Sequence, residues 1–222
     1  MSGEASLESG ARRGRAGLPR GLGIGASTGG PRALLALLAK LDLPSGTYSF
    51  LVQHIHPKFT NLLTRRLGEV ATLPVVEAEA EALARPGQIY VAPSGRHLLV
   101  EYNWPSTYRT RLSEGPLRNG VRPSVDELFI SLAKAFGKRA VGVVLTGMGR
   151  DGLEGARAIK EAGGLVLAEA ESTCTVYGMP RALAEAGLTD RMVPIGEMAA
   201  AMREACGEPA LVAPGCSTPM AR

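Results

Sequence analysis

The sequence is poor in the residues that mark several protein classes. It has 3 cysteines in 222 residues, too far apart for a disulfide scaffold or a zinc finger: Cys174, Cys206 and Cys216. Aromatic residues make up only 5% of the chain, so leucine, valine and alanine must fill the core. No apolar run approaches the roughly 18 residues of a membrane span, and no apolar segment follows the N-terminal arginines as in a secretory signal. We therefore expect a cytoplasmic protein with no membrane insertion.

The net charge of the chain is also small. The 25 basic and 21 acidic residues leave a net charge of +4, and residues 1–20, with four arginines against two glutamates, contribute +2 of it. The rest of the chain lacks the basic excess of a nucleic-acid-binding protein, so no nucleic-acid partner is expected. We predict a flexible basic arm over 1–20, one folded domain over 21–206 and a flexible tail over 207–222. The oligomeric state stays open.

Short apolar runs alternate with helical patterns along the predicted domain. This alternation predicts an α/β fold, a doubly wound and mainly parallel sheet with helices on both faces. A small antiparallel hairpin is predicted between 87–93 and 96–102, around Pro93-Ser94-Gly95, and a third extended piece, TYRTRLS (107–113), can pair with these strands. The clearest buried strands are GLGIGAS (21–27), TYSFLVQHI (47–55) and AVGVVLTG (140–147).

The first candidate site residue is Ser27, in the turn Gly25–Gly30 that follows the first predicted strand. A serine between small residues on a tight strand-to-helix turn exposes its hydroxyl, and the next helix directs backbone N–H groups at the same point. The turn also matches the pattern G-x-S-x-G. The alternative is a glycine-rich turn in which Ser27 only caps the helix.

The second candidate, His54, ends the next predicted strand. Strands that follow each other in sequence are often neighbours, so His54 can lie beside Ser27, and an imidazole is the usual base for a serine hydroxyl. Two alternatives are a solvated loop residue and a metal ligand paired with His56. The metal alternative lacks a third ligand.

The third candidate, Asp151, follows the buried strand 140–147. A carboxylate at that point can orient a histidine and stabilise its cation. The alternative is that Asp151 is the N-cap of the helix that begins at Gly152. A helix is also predicted over 124–137. Its N-terminus is indicated by Ser124 and Glu127, which match the pattern of a capping box.

Three other interpretations stay open from the residues alone. Gly21, Gly23 and Ala26 fit a relaxed dinucleotide-binding pattern, with Asp42 19 residues past the second glycine. However, Asp42 precedes the second strand, whereas a ribose-binding acid should end it. Cys174 is a rival nucleophile with no base near it in sequence. A non-enzymatic interaction protein on the same fold is the third alternative.

Six motifs between Leu22 and Met202 together resemble the catalytic domain of the chemotaxis protein-glutamate methylesterases (CheB type). They are IGASTGGP (24–31), QHIHPKFT (53–60), IYVAPSGRH (89–97), RPSVDELF (122–129), LTGMGRDG (145–152) and YGMPRAL (177–183). The resemblance implies a methylesterase catalytic domain and a serine hydrolase that needs no metal or organic cofactor. It implies a triad of Ser27, His54 and Asp151, with supporting roles for Thr28 and the backbone of Met148.

The resemblance also implies the reaction and the partner. Such an enzyme demethylates glutamate γ-methyl esters in the cytoplasmic region of chemoreceptors through a glutamyl-enzyme, releases methanol, and can deamidate glutamines. Family members commonly carry a receiver domain ahead of this one. Because about 20 residues precede the first strand here, we expect a stand-alone catalytic domain whose active site is either uncovered by default or controlled by something outside the chain. The stretch 172–176 also departs from the Ser-Cys-Val-Val pattern of the family.

Overall fold

The structure is a computed structural model that describes residues 18–105 and 107–207. Strands and helices alternate along these ranges, except that four strands follow one another between 75 and 113. The predicted arm, up to residue 17, and the predicted tail, beyond Gly207, lie outside these ranges. The strands are β1 Arg20–Ala26, β2 Thr47–Gln53, β3 Val75–Glu77, β4 Ile89–Val91, β5 His97–Asn103, β6 Thr107–Ser113, β7 Ala140–Val144, β8 Leu165–Glu169 and β9 Arg191–Val193. The helices are α1 Gly30–Leu38, α2 Pro57–Val70, α3 Val125–Phe136, α4 Leu153–Glu161, α5 Met179–Glu185 and α6 Ile195–Cys206, with a 3-10 turn at Gly137–Arg139. Within the described ranges, no helix combines the length and apolar character needed to cross a bilayer.

Seven strands form one sheet in the order β3-β4-β2-β1-β7-β8-β9. Every neighbouring pair in this sheet is parallel, which confirms the predicted α/β class. The chain moves outward from β1 to β2 on one side, and later places β7 on the other side of β1. Ligands of open α/β sheets bind at the carboxyl ends of the strands where the order reverses. The topology therefore points to the ends of β1 and β7.

Helices cover both faces of the sheet, as predicted. One apolar cluster joins the sheet to α1, α2 and α6. The other joins the opposite face to α3, α4, α5 and the antiparallel strand pair. Because the strands are buried on both faces, their sequences are continuously apolar instead of alternating.

The glycines of β1 serve the packing of α3 on the sheet. A side chain added at Gly23 would place its Cβ 2.5 Å from Leu132 of α3, and one at Gly21 would collide with the ring of Phe136. These residues sit inside the strand and not in a phosphate-binding turn. Asp42 pairs instead with Arg203. The pattern that resembled a dinucleotide fingerprint is therefore explained by helix–sheet packing.

The antiparallel pair is present and includes the predicted third piece, 107–113, but the predicted pairing of 87–93 with 96–102 is wrong. The stretch 89–91 forms β4 of the main sheet, where it pairs with β2 and β3. The following strand, β5, pairs antiparallel with β6, in a register that places Asn103 opposite Thr107. The turn at Pro93-Ser94-Gly95 thus connects two sheets and does not close a hairpin.

Removing the Phe129 ring should destabilise the fold. Phe129 is 0% exposed between α3 and the sheet, whereas Phe59 on α2 is 52% exposed. We expect Phe129→Ala to lower the free energy of unfolding by about 3–5 kcal/mol and Phe59→Ala by less than about 1 kcal/mol. Urea denaturation of both variants measures the difference. Equal losses in the two variants would contradict the packing described above.

Candidate active site

Backbone hydrogen bonds hold the ends of β1, β2 and β7 side by side. The amide of Ser27 donates to the carbonyl of Thr146 at 3.0 Å, and the amide of His54 donates to the carbonyl of Ala26 at 3.0 Å. Ser27 therefore lies between the segment that follows β7 and the segment that carries His54. The parallel register of the sheet dictates this juxtaposition of residues far apart in sequence.

Gln53 ties the Ser27 turn to His54 by a second route. Its buried side-chain amide donates to the carbonyl of Ser27 and to the carbonyl of His54, both at 2.9 Å. Sequence reasoning did not assign a role to this residue. The available signal was a glutamine that ends an otherwise apolar, buried strand, because a buried amide must find hydrogen-bond partners.

His54 and Asp151 contact each other directly. Nε2 of His54 lies 2.8 Å from Oδ2 of Asp151, and the two side chains are 13% and 4% exposed. His54 is thus not a solvated loop residue. With Nε2–H donated to the carboxylate, the other ring nitrogen, Nδ1, is the one left free to accept a proton in the neutral imidazole.

The Asp151 carboxylate lies at the N-terminus of α3. It accepts hydrogen bonds from the amide of Val125 at 2.7 Å and the amide of Asp126 at 3.2 Å. It also accepts from the hydroxyl of Ser124 at 2.7 Å and the side-chain amide of Asn119 at 3.0 Å. The first turn of α3 thus supplies donors and a positive dipole end to a carboxylate that belongs to another segment.

The predicted capping box of α3 is therefore wrong, and the alternative role of Asp151 as a helix N-cap is excluded. Ser124 is the N-cap residue of α3, but its side chain makes no cap hydrogen bond, because its hydroxyl is donated to Asp151. Asp151 does not cap the helix that follows it, since α4 has Gly152 as its N-cap with a φ of 97°. The capping box also fails on its other side, because the Ser124 amide donates to Nδ1 of His97 and the Glu127 carboxylate accepts from Arg118.

These contacts decide the ionisation of Asp151. Burial opposes its charge, but the hydrogen bonds from His54, Ser124 and the amide of Val125 outweigh burial and lower the pKa of Asp151 to about 2. Asp151 is consequently anionic at neutral pH. Burial raises the pKa of the neighbouring Asp126, against a lowering hydrogen bond from the amide of Gly155.

The Ser27 side chain is not used as a helix cap. The N-cap residue of α1 is Gly29, with a φ of 83°, which has no side chain that could cap the helix. Ser27 is only partly buried, and no hydrogen bond joins its hydroxyl to His54 in the part of the chain described here. Gly147 permits the close approach of the β7 loop, because a Cβ there would lie 2.7 Å from Cβ of Ser27.

The two predicted supporting residues border the same turn. Thr28 is exposed next to Ser27. Met148, whose side chain is 75% exposed, follows Gly147. Within 18–105 and 107–207, the Met148 amide donates to no backbone carbonyl.

A groove of about 330 Å³ opens beside His54. Its walls come from the start of α2, the turn after β4 and the segment before α3. The lining combines apolar and polar groups, among them Ile55, Ser94, Leu117, Val121 and Arg122. The groove is large enough to hold a side chain that reaches the imidazole from a larger substrate.

Other chemistries find little support at this edge. Burial, with added repulsion from Glu169 and Glu171, raises the pKa of Cys174 to about 12, so its thiol is not a nucleophile near neutral pH. His56 is exposed, and its Nδ1 accepts from the amide of Lys58 at the start of α2. The described residues contain no group of three metal-ligating side chains.

The threonines in the stretch 172–176 contact three neighbouring segments. The Thr173 hydroxyl donates to Glu169 at 3.0 Å and accepts from the amide of Ile195 at 3.1 Å. Thr175 lies against Gly29, whose missing side chain leaves room for it. The two threonines therefore tie this loop to β8, to the start of α6 and to the Ser27 turn.

The lowered pKa of Asp151 predicts a pH-dependent contribution to stability. An unfolded aspartate titrates near pH 3.9, so the contribution of Asp151 is complete above about pH 4 and is lost as the pH falls toward 2. This contribution to the free energy of unfolding amounts to about 2 kcal/mol. We expect the difference in unfolding free energy between the wild type and Asp151→Asn to shrink from pH 5 to pH 2. Urea midpoints measure this, and Glu161→Gln, at an exposed carboxylate on α4, should keep the wild-type pH dependence. A difference that does not change with pH would contradict the lowered pKa.

Comparisons with known proteins agree with this geometry. The sequence model of the CheB methylesterase family matches residues 22–202. The protein-glutamate methylesterase/protein-glutamine glutaminase of Moorella thermoacetica is 48% identical over 181 residues, covering 81% of this chain and 42% of the relative. Number 5 of that name from Myxococcus xanthus is 48% identical over 180 residues, covering 81% of this chain and 51% of the relative.

The structural comparison leads to the same family. The crystal structure of the Thermotoga maritima CheB methylesterase catalytic domain matches with a TM-score of 0.81 and 36% identity, covering 84% of this chain and 98% of that one. This chain spans about half the length of the curated relatives that it matches. The motifs, the parallel sheet and these matches agree, and the chain belongs to the CheB methylesterase family.

Proposed function

We propose that this chain is a serine hydrolase that cleaves glutamate γ-methyl esters in a protein substrate, with Ser27, His54 and Asp151 as its triad. The observation that carries the proposal is the 2.8 Å contact between His54 and an anionic Asp151, beside the turn that presents Ser27. The relatives named protein-glutamate methylesterase/protein-glutamine glutaminase support the substrate class.

The first half of the reaction forms a glutamyl-enzyme. Oγ of Ser27 attacks the ester carbonyl carbon while Nδ1 of His54 takes the hydroxyl proton. Asp151 holds Nε2–H and stabilises the imidazolium that forms. When the tetrahedral intermediate collapses, the C–O bond to the methoxy group breaks, and His54 returns its proton to give methanol.

The second half regenerates the enzyme. A water molecule attacks the glutamyl ester of Ser27 while His54 again accepts a proton. Collapse of the second tetrahedral intermediate returns the proton to Ser27 and leaves a glutamate side chain. A glutamine side chain can follow the same steps with ammonia as the leaving group, since His54 can protonate the departing nitrogen. No step requires a metal or an organic cofactor.

The backbone amide of Met148 is the proposed oxyanion donor. It follows Gly147, which lies against Ser27, and it has no backbone acceptor in the described part of the chain. A preorganised donor of this kind contributes about 10²–10³-fold to turnover. Exposed Thr28 borders the same point, where its hydroxyl can contact the substrate.

The protein substrate we propose is the methylated cytoplasmic region of chemoreceptors. The site lies open at one edge of the sheet, and the groove beside His54 has room for a side chain that projects from a folded partner. Such a substrate would place the reaction in the cytoplasm.

Replacing the nucleophile should abolish the activity. We expect Ser27→Ala to release no methanol from methylated receptor fragments above background, and Asp151→Asn to lower kcat/KM by roughly 10³–10⁴-fold. Ser45→Ala is the control, because exposed Ser45 precedes β2 at the opposite edge of the sheet. Methanol release and a loss of about 14 mass units per ester in the receptor fragment measure the outcome. A Ser27→Ala variant with more than a few per cent of wild-type activity would refute the assigned nucleophile.

A further inference from the structure

Glu169, the last residue of β8, is a buried carboxylate with no part in the reaction described above. Its side chain is 0% exposed. In the described part of the chain, neither of its oxygens pairs with a cation: Oε2 accepts from the amide of Thr146 at 2.8 Å, and Oε1 accepts from the hydroxyl of Thr173 at 3.0 Å. Burying a carboxylate is costly unless its hydrogen bonds are made, so these two contacts hold the group in place.

Thr146 connects Glu169 to the turn that carries Ser27. Its carbonyl accepts the Ser27 amide at 3.0 Å. Its hydroxyl donates to the carbonyl of Thr28 at 3.0 Å and accepts from the amide of Val176 at 2.9 Å. Every polar group of Thr146 is therefore engaged, two of them with the Ser27-Thr28 backbone and one with Glu169.

Packing alone does not hold this region. A cavity of about 350 Å³ lies beside it, lined by Gly29, Arg32, Thr146, Glu169 and Thr175 among others. Because there is open space on this side, the segment after β7 has room to shift if the bond from its amide is lost. Gly147 lies so close to Ser27 that such a shift would move the nucleophile or its oxyanion donor.

We propose that Glu169 is a positioning residue for Ser27, which it holds through the amide of Thr146. The inference rests on the proposed function, since it assigns a role relative to the nucleophile of that reaction. Misplacing a reacting group by about 1 Å can cost on the order of 10²-fold in rate. The property that matters is the acceptor oxygen at the distance of a glutamate side chain, and the negative charge does not contribute.

Two substitutions separate these properties. In Glu169→Gln the carbonyl oxygen can accept the Thr146 amide, while the new NH₂ group donates to the Thr173 hydroxyl, which can turn its hydrogen toward the carbonyl of Ala170. In Glu169→Asp the charge is kept, but the side chain is one methylene shorter and withdraws from the amide. The positioning role predicts activity in the first variant and its loss in the second.

The test compares the second-order rate of Ser27 labelling by an organophosphonate, together with kcat and KM for methanol release. We expect Glu169→Gln to stay within about threefold of the wild type in all three. Glu169→Asp should lose about tenfold or more in labelling rate and kcat while KM changes by less than about twofold. Should Glu169→Asp fail to fold, Glu169→Met replaces it, because its thioether fills the space but accepts hydrogen bonds weakly.

A destabilised variant with an intact site is the control. Met202 is 0% exposed on α6, so Met202→Ala lowers the unfolding midpoint. Well below that midpoint it should label Ser27 at the wild-type rate. This comparison separates a loss of positioning from a loss of stability.

Three results would overturn the inference. They are wild-type rates in both Glu169 variants, equal losses in both, or a loss in Glu169→Gln alone, which would assign the effect to the charge. Wild-type protein that is not labelled at Ser27 would overturn the proposed function itself, and the inference with it.

Discussion

The candidate active site depends on the placement of one buried carboxylate. The carboxylate of Asp151 is hydrogen-bonded to His54 on one side and to the amide of Val125, in the first turn of α3, on the other. Burial opposes the charge of Asp151, but hydrogen bonds from His54, Ser124 and the amide of Val125 outweigh it and lower the pKa of the carboxyl. Because α3 packs through Phe129 and Leu132 against the glycines of β1, the imidazole is oriented by a group anchored in the hydrophobic core. Catalytic geometry and core packing are thus coupled through one hydrogen-bond cluster.

A second set of contacts fixes the nucleophile turn independently of Asp151. Gln53 ties the turn to the end of β2, and Thr146 ties it to the end of β7. Both contacts are made to the backbone of Ser27 and leave its hydroxyl unused. The arrangement suits a reaction in which the hydroxyl of Ser27 loses its proton and its oxygen forms a new bond, while the main chain of the residue stays fixed.

The sequence predicted most of this organisation but not its polar partners. Alternating apolar runs identify a parallel sheet, and strand ends then identify Ser27, His54 and Asp151 as neighbours. Asn119 and Glu169 went unassigned because their partners lie 32 and 23 residues away along the chain, and no local pattern encodes those contacts. The capping box failed for the same reason, since the hydroxyl and the amide of Ser124 donate to the distant residues Asp151 and His97. The hairpin failed because a turn signal does not say which strands pair.

The proposed reaction requires Ser27 Oγ and His54 Nδ1 to act together at the carboxyl ends of these strands. A crystal structure of the protein after reaction with an organophosphonate would show the positions of both groups. We expect phosphorus bonded to Ser27 Oγ, His54 Nδ1 within hydrogen-bond distance of that oxygen, and His54 Nε2 still hydrogen-bonded to Asp151. Phosphorus on another residue, or an imidazole turned away from Ser27 in the labelled protein, would contradict it.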